Sequence, residues 1–279
     1  MTGTVGLRQA VYRGGGYLAV RYGVGLVLSA GGVLLLTRLL GPAEYGLWAA
    51  AASLQAVVQV LAQWGVGTYL VRHEGPERPE RYHQATSFLL VAGGLVVVGA
   101  AALLPLIEHW TRLERLSVPA LALFAAIPIQ FVAAVPMAKM ERALDFRAIA
   151  GMELAGQAGF FLVAVPLAAT GRGVWAPVAG LWGQQLLQAV GYCRLTRYAP
   201  RWAWSGTANR AMLDFGLAYS VSIWLWHARR LVNPLIVGRY LGAEAVAYVA
   251  VAAQIATQLG FVAVAAWRVS TAVLARLQS

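Results

Sequence analysis

The sequence predicts an all-α, polytopic integral membrane protein with about eight transmembrane helices. Three observations carry that expectation. Hydrophobic residues make up 59% of the 279 and charged residues only 12%, against about half and about a quarter in soluble domains. Apolar stretches recur at about the 20 residues a helix needs to cross a bilayer. They are continuous, whereas a membrane-barrel strand alternates its two faces over about ten residues.

The first span is expected at 17–39, after the flexible run Gly14-Gly15-Gly16, and is too long for a signal-peptide core, so it should remain as an uncleaved anchor. Gly41-Pro42 breaks it from a second at 45–71, which carries Gln55, Gln59 and Gln63 at four-residue spacing. The third, fourth and fifth, at 85–107, 118–137 and 149–169, contain Pro105, Pro128, Pro136 and Pro166, residues that kink membrane helices. Gly171-Arg172-Gly173 precedes the sixth, at 174–195. The connection 196–213 is the longest, and its Trp202 and Trp204 suit the headgroup level. Spans at 215–237 and 243–267 complete the set, separated by Gly242. Small residues at four-residue spacing, Gly151 with Ala155 and Gly159, and Ala179 with Gly183, are expected at helix contacts.

The net charge of +11 is distributed by loop. Arg72, Arg78 and Arg81, then Lys139, Arg142 and Arg147, then Arg194, Arg197, Arg201 and Arg210 all fall at one end of the spans, with Arg8, Arg13, Arg268 and Arg276. Only Arg38, Arg112, Arg115, Arg172 and Arg239 fall at the other. The positive-inside rule then places both termini in the cytoplasm. Basicity is thereby explained by topology, and no nucleic-acid partner is called for. Lone Cys193 has no partner for an internal disulfide.

Arg38-Leu39-Leu40-Gly41 and Arg239-Tyr240-Leu241-Gly242 close apolar runs in the same orientation, and each leads into an Ala-rich apolar stretch. The pair predicts a parallel duplication: a six-helix lobe over 1–213, then the first two helices of a second lobe over 214–279.

Thr37-Arg38-Leu39-Leu40-Gly41-Pro42-Ala43-Glu44-Tyr45-Gly46-Leu47-Trp48, with Gly65-Val66-Gly67-Thr68, resembles the opening of bacterial polysaccharide exporters, the Wzx-type flippases of the multidrug/oligosaccharidyl-lipid/polysaccharide superfamily. Glu141-Arg142-Ala143-Leu144-Asp145-Phe146-Arg147, Leu213-Asp214-Phe215-Gly216 and Ile236-Val237-Gly238-Arg239-Tyr240-Leu241-Gly242 extend the resemblance in order along the chain. It implies a flippase of the bacterial inner membrane, moving an oligosaccharide linked to undecaprenyl pyrophosphate for lipopolysaccharide, capsule or exopolysaccharide synthesis. Members have twelve or more spans, so the chain is expected to be truncated at its C-terminus or completed by a second chain. A multidrug-type exporter of the same superfamily and a non-transporting membrane fragment are the alternatives.

Candidate substrate-binding residues concentrate in span seven, where His227, Arg229, Arg230 and Asn233 interrupt an apolar helix. A central arginine costs at least about 2.5–3.5 kcal/mol to insert, so it should face a cavity or a partner. Guanidinium groups suit a pyrophosphate through bidentate hydrogen bonds. Snorkelling or pairing with another helix is the competing account of the arginines. A carbonyl bond would explain His227, and capping of the Pro234 kink would explain Asn233. Arg21 either snorkels to headgroups or lines a basic cavity between lobes. Gln55 and Gln59 either bind sugar hydroxyls or hydrogen-bond between helices. Glu153 is the one carboxylate firmly within a span, where an ion pair or proton coupling would account for it. No phosphate-binding Gly-rich loop, His-Glu-x-x-His helix or thiol pair is present, so neither an enzyme nor a cofactor is expected.

Overall fold

The computed structural model describes the backbone of residues 2–73 and 78–277, and the side chains of 23–257 other than 74–77 and 222. The regular structure of the described residues is all helical, with no strand among them. It runs as α1 (Thr2–Gln63), α2 (Val66–Arg72), α3 (Pro79–Phe88), α4 (Gly94–Thr111), α5 (Ser117–Arg142), α6 (Phe146–Ala169), α7 (Trp175–Leu195), α8 (Gly206–Ala228) and α9 (Gly238–Leu277). A π-helical turn, Leu89–Gly93, joins α3 to α4. A 3₁₀ turn, Arg229–Leu231, and a π turn, Asn233–Val237, join α8 to α9.

Five helical stretches are long and apolar enough to cross a bilayer. Two of them, Gly23–Gln63 and Ile223–Thr257, each contain a kink that divides them into two spans. The remaining expected span is α7, which Gln184, Gln185 and Gln188 make less apolar but which packs along α6 and against α5. The eight expected helical segments are therefore all present.

The two kinks are the two copies of the repeated tetrapeptide. Gly41 has φ 75° and ψ 166°, and Gly242 has φ 78° and ψ −176°. Both values lie in a region essentially reserved for glycine. Pro42 follows the first kink at the opening of the next helix, where its fixed φ and missing N–H are tolerated. The repeat is thus one of backbone conformation as well as of sequence.

Packing around these turns is close. A Cβ on Gly46 would collide with the Ala243 carbonyl oxygen, so only glycine lets the start of the second span meet the turn that opens the eighth. Arg239 donates to the Trp110 carbonyl at 2.6 Å, its guanidinium 4.3 Å above the Trp110 ring, and so covers the free carbonyl end of α4. Glu44 accepts the Val174 backbone N–H at 2.8 Å and pairs with Arg115 at 3.3 Å. Glu108 accepts from the Arg115 and Ser117 backbone N–H groups and caps the start of α5. These contacts gather the turns at one end of the bundle; the basic loops meet at the other, where the start of α3 and the ends of α5 and α7 line one cavity.

The main core lies between the second half of α1, α3, α4 and α5, with Leu70, Phe88, Leu89, Leu116, Phe124, Ile127 and Phe131 fully enclosed. A second cluster joins Leu36 to Ala164, Ala168 and Ala176. Large apolar side chains also point outward along the spans: Leu162 is 75% exposed, Leu225 71% and Leu95 69%. A water-soluble fold does not present such a belt, whereas a bilayer covers it.

The small-residue contact between α6 and α7 includes the expected Gly159 and Gly183, which face Leu187 and Val163, but not Gly151. Gly151 has nothing near its Cβ position. Gly156 also faces α7, at Gln188, and Gly180 faces α6, where an added Cβ would come within 2.8 Å of the Phe160 carbonyl oxygen. Which glycines of α6 face α7 is set by how its other neighbours, α1 above all, turn the helix.

Candidate functional site

The eighth helix loses α geometry where its charged residues stand. Pro234 offers no N–H for the carbonyl four residues earlier and its ring crowds that turn, so the backbone tightens into a 3₁₀ turn at Arg229–Leu231 and widens into a π turn at Asn233–Val237. Turns of this kind, placed mid-span, free backbone groups for other partners.

Arg229 and Arg230 are exposed, and Arg229 stacks 3.7 Å above the exposed Trp226 ring. Neither arginine has an ion-pair or hydrogen-bond partner among the described residues. The opposite face of α8 is turned inward: Trp224 meets Trp64 edge-on at 5.5 Å, and half-buried His227 shares that side. The indole N–H groups of Trp64 and Trp224 and Nδ1 of His227 are enclosed without hydrogen-bond partners among the described residues, which leaves a polar seam between α1 and α8. Trp64 stands there because the second span breaks at Trp64-Gly65, both with positive φ, before continuing as α2.

The expected residues fall into separate groups. Arg229 and Arg230 share one face with Trp226. Asn233 donates to the Val246 carbonyl at 3.2 Å and ties span seven to span eight. Gln55 is buried and donates to Gln59 at 3.1 Å, so the pair satisfy one another on α1. No hydrogen bond joins these glutamines to the arginines among the described residues. Arg21 has a side chain outside the described residues. Two further amides tie other helices to the first span: Gln157 donates to the Gly25 carbonyl at 2.9 Å and Gln254 to Ser29 Oγ at 3.1 Å. Gln254 is therefore an inter-helix bond rather than a free amide. Spacing alone could not distinguish these, because an amide reads the same whether it faces a cavity or a neighbour.

A site that span-seven reasoning missed lies at the basic end. A cavity of about 330 Å³ is lined by Tyr82, His83, Lys139, Arg197, Tyr198 and Arg201, among others. Its wall is fixed by Tyr198, whose hydroxyl lies 2.6 Å from Thr86 Oγ1 and donates to the Tyr82 carbonyl at 3.1 Å, while its ring stacks on His83. Burial pushes the Tyr198 phenol above its ordinary pKa, with the Thr86 hydrogen bond opposing and Cys193 adding. The signal in the sequence was the basic run from Arg194 to Arg201, which reads equally well as topology.

Residues 35–279 match the polysaccharide biosynthesis protein family. The chain belongs to that family. The match takes in both repeated turns, the broken eighth helix and the basic cavity. Among curated proteins, the chain is similar to the succinoglycan biosynthesis transport protein ExoT of Rhizobium meliloti (strain 1021), at 28% identity over 217 residues. That alignment covers 75% of this chain and 42% of the relative, so the chain spans less than half of the length of this curated relative. No solved structure matches significantly.

Proposed function

We propose that this chain forms one lobe, and the opening of a second, in a transporter that moves a lipid-linked oligosaccharide across the bacterial inner membrane for polysaccharide assembly. The observation that carries this reading is the pair of guanidinium groups at Arg229 and Arg230, unpartnered among the described residues, at the point where span seven leaves α geometry. Two cations there suit an anionic pyrophosphate, while the saccharide and its polyprenyl tail divide between a hydrophilic path and the lipid. The relative's transport role and the family's place in polysaccharide biosynthesis support the same class of substrate. A multidrug-type exporter of cations fits the basic pair poorly, because like charge would repel its cargo.

The test is surface polysaccharide in cells that depend on the complete transporter. Replacing Arg229 and Arg230 together by alanine, at unchanged membrane abundance, should abolish export and leave lipid-linked units on the cytoplasmic leaflet. Undiminished surface polysaccharide would refute the assignment.

A further inference from the structure

We propose that the cavity at the basic end of the bundle holds the phosphate of an anionic membrane-lipid headgroup. Three basic side chains from two parts of the chain converge on it: Lys139 from the end of α5, and Arg197 and Arg201 from the segment after α7. His83 adds a further nitrogen group from α3, and among the described residues no carboxylate lines the cavity. None of the three cations has an ion-pair partner among the described residues. Cations held together without an acid repel one another, and an anion relieves that repulsion. The volume, about 330 Å³, suits a small headgroup rather than a saccharide chain.

The cavity's surroundings select a lipid over a free anion. It lies where α5 and α7 end, at the level where apolar helix gives way to basic loop. Directly beyond Arg201, Trp202 and Trp204 stack at 6.2 Å with rings 8° from parallel, and they are 69% and 53% exposed. The Ala203 backbone N–H donates to Ser87 Oγ at 3.0 Å, which anchors this aromatic pair against α3. Exposed, ordered tryptophans beside a basic pocket suit the headgroup layer, where an indole ring sits between water and hydrocarbon. The site is remote in sequence and element from Arg229 and Arg230, and the proposal does not depend on the transported substrate.

The experiment uses the full chain in nanodiscs and in detergent, with lipid retention read by native mass spectrometry. Phosphatidylglycerol should be retained in preference to phosphatidylcholine, and absence of that preference in the unaltered chain overturns the proposal. K139Q/R201Q should weaken phosphatidylglycerol retention about twenty-five-fold, since each basic residue beside an anionic headgroup contributes about fivefold. The charge-matched R194Q/R210Q, outside the cavity, should leave it within about twofold, because neither side chain reaches the bound phosphate and salt screens the remaining attraction. Equal loss in both variants would mean diffuse attraction and would sink the site. W202A/W204A should weaken lipid retention, and millimolar glycerol phosphate should fail to displace the lipid. Displacement by glycerol phosphate, with the tryptophan variant unchanged, would show a soluble-phosphate site and overturn the lipid assignment.

Discussion

Gly46, at the start of the second span, faces the Ala243 carbonyl oxygen so closely that no side chain fits between them. The two repeated turns therefore meet, and the contact joins the six-helix part of the chain to its last two spans. Gly46→Val should force the Gly242 turn away from α1 and cost about 1–3 kcal/mol, the usual penalty for overpacking. Gly67→Ala is the control, because nothing lies within 4 Å of its Cβ position and it sits within α2. It should be neutral or stabilising by up to about 1 kcal/mol. Thermal midpoints in detergent read both, and equal midpoints for the two variants would show that the close approach carries no packing energy.

Gly41 and Gly242 test the repeat itself. Both have open space at the Cβ position, so a side chain there meets no neighbour and the penalty of substitution is purely conformational. Alanine at either position should cost about 1–3 kcal/mol, and by similar amounts, because the φ/ψ values nearly coincide. A destabilisation at Gly41 with none at Gly242 would mean that the second turn relaxes freely, and the structural equivalence would fail.

Much of this architecture is legible in the sequence because lipid imposes a length. Each expected span corresponds to a helical segment, and the Arg-x-Leu-Gly pair marks the two glycine kinks. What escaped is set by neighbours rather than by local pattern. The break at Trp64-Gly65 falls inside an apolar run, and nothing in hydropathy marks two consecutive left-handed residues. Gly151 and Gly156 carry identical side chains, yet only the second touches α7, since the register depends on how α1 rotates α6. The arginines of span seven were legible because charge in hydrocarbon is conspicuous. The basic cavity was not, because its members come from three separated segments whose charge topology alone would explain.

At the end opposite the basic loops, Glu44 separates two energetic terms. Glu44→Gln keeps an acceptor for the Val174 N–H but loses the ion pair with Arg115, whose side chain is largely exposed. That change should cost less than about 1 kcal/mol. Glu44→Ala strands the N–H of Val174, a residue with almost no exposure, and should cost about 1–3 kcal/mol. The order of midpoints expected is wild type, then Glu44→Gln, then Glu44→Ala. Should Glu44→Gln prove as damaging as Glu44→Ala, the ion pair would be the stabilising element and the backbone bond would not.

Tyr198 links the basic cavity to the core through Thr86 and the Tyr82 carbonyl. Tyr198→Phe keeps the ring stacked on His83 and removes the hydroxyl, so it should destabilise at neutral pH by about 0.5–1.5 kcal/mol. Burial raises the folded phenol above its unfolded value, so the folded state binds this proton more tightly. The contribution is fully present below the ordinary phenol pKa of about 10 and is lost as pH rises through the higher folded value. Wild type should accordingly lose stability more steeply above pH 10 than Tyr198→Phe, and the gap between their denaturation midpoints should narrow there. A gap that stays constant from pH 7 to pH 11 would show that the hydroxyl keeps its bonds when ionised, and that burial does not govern its proton.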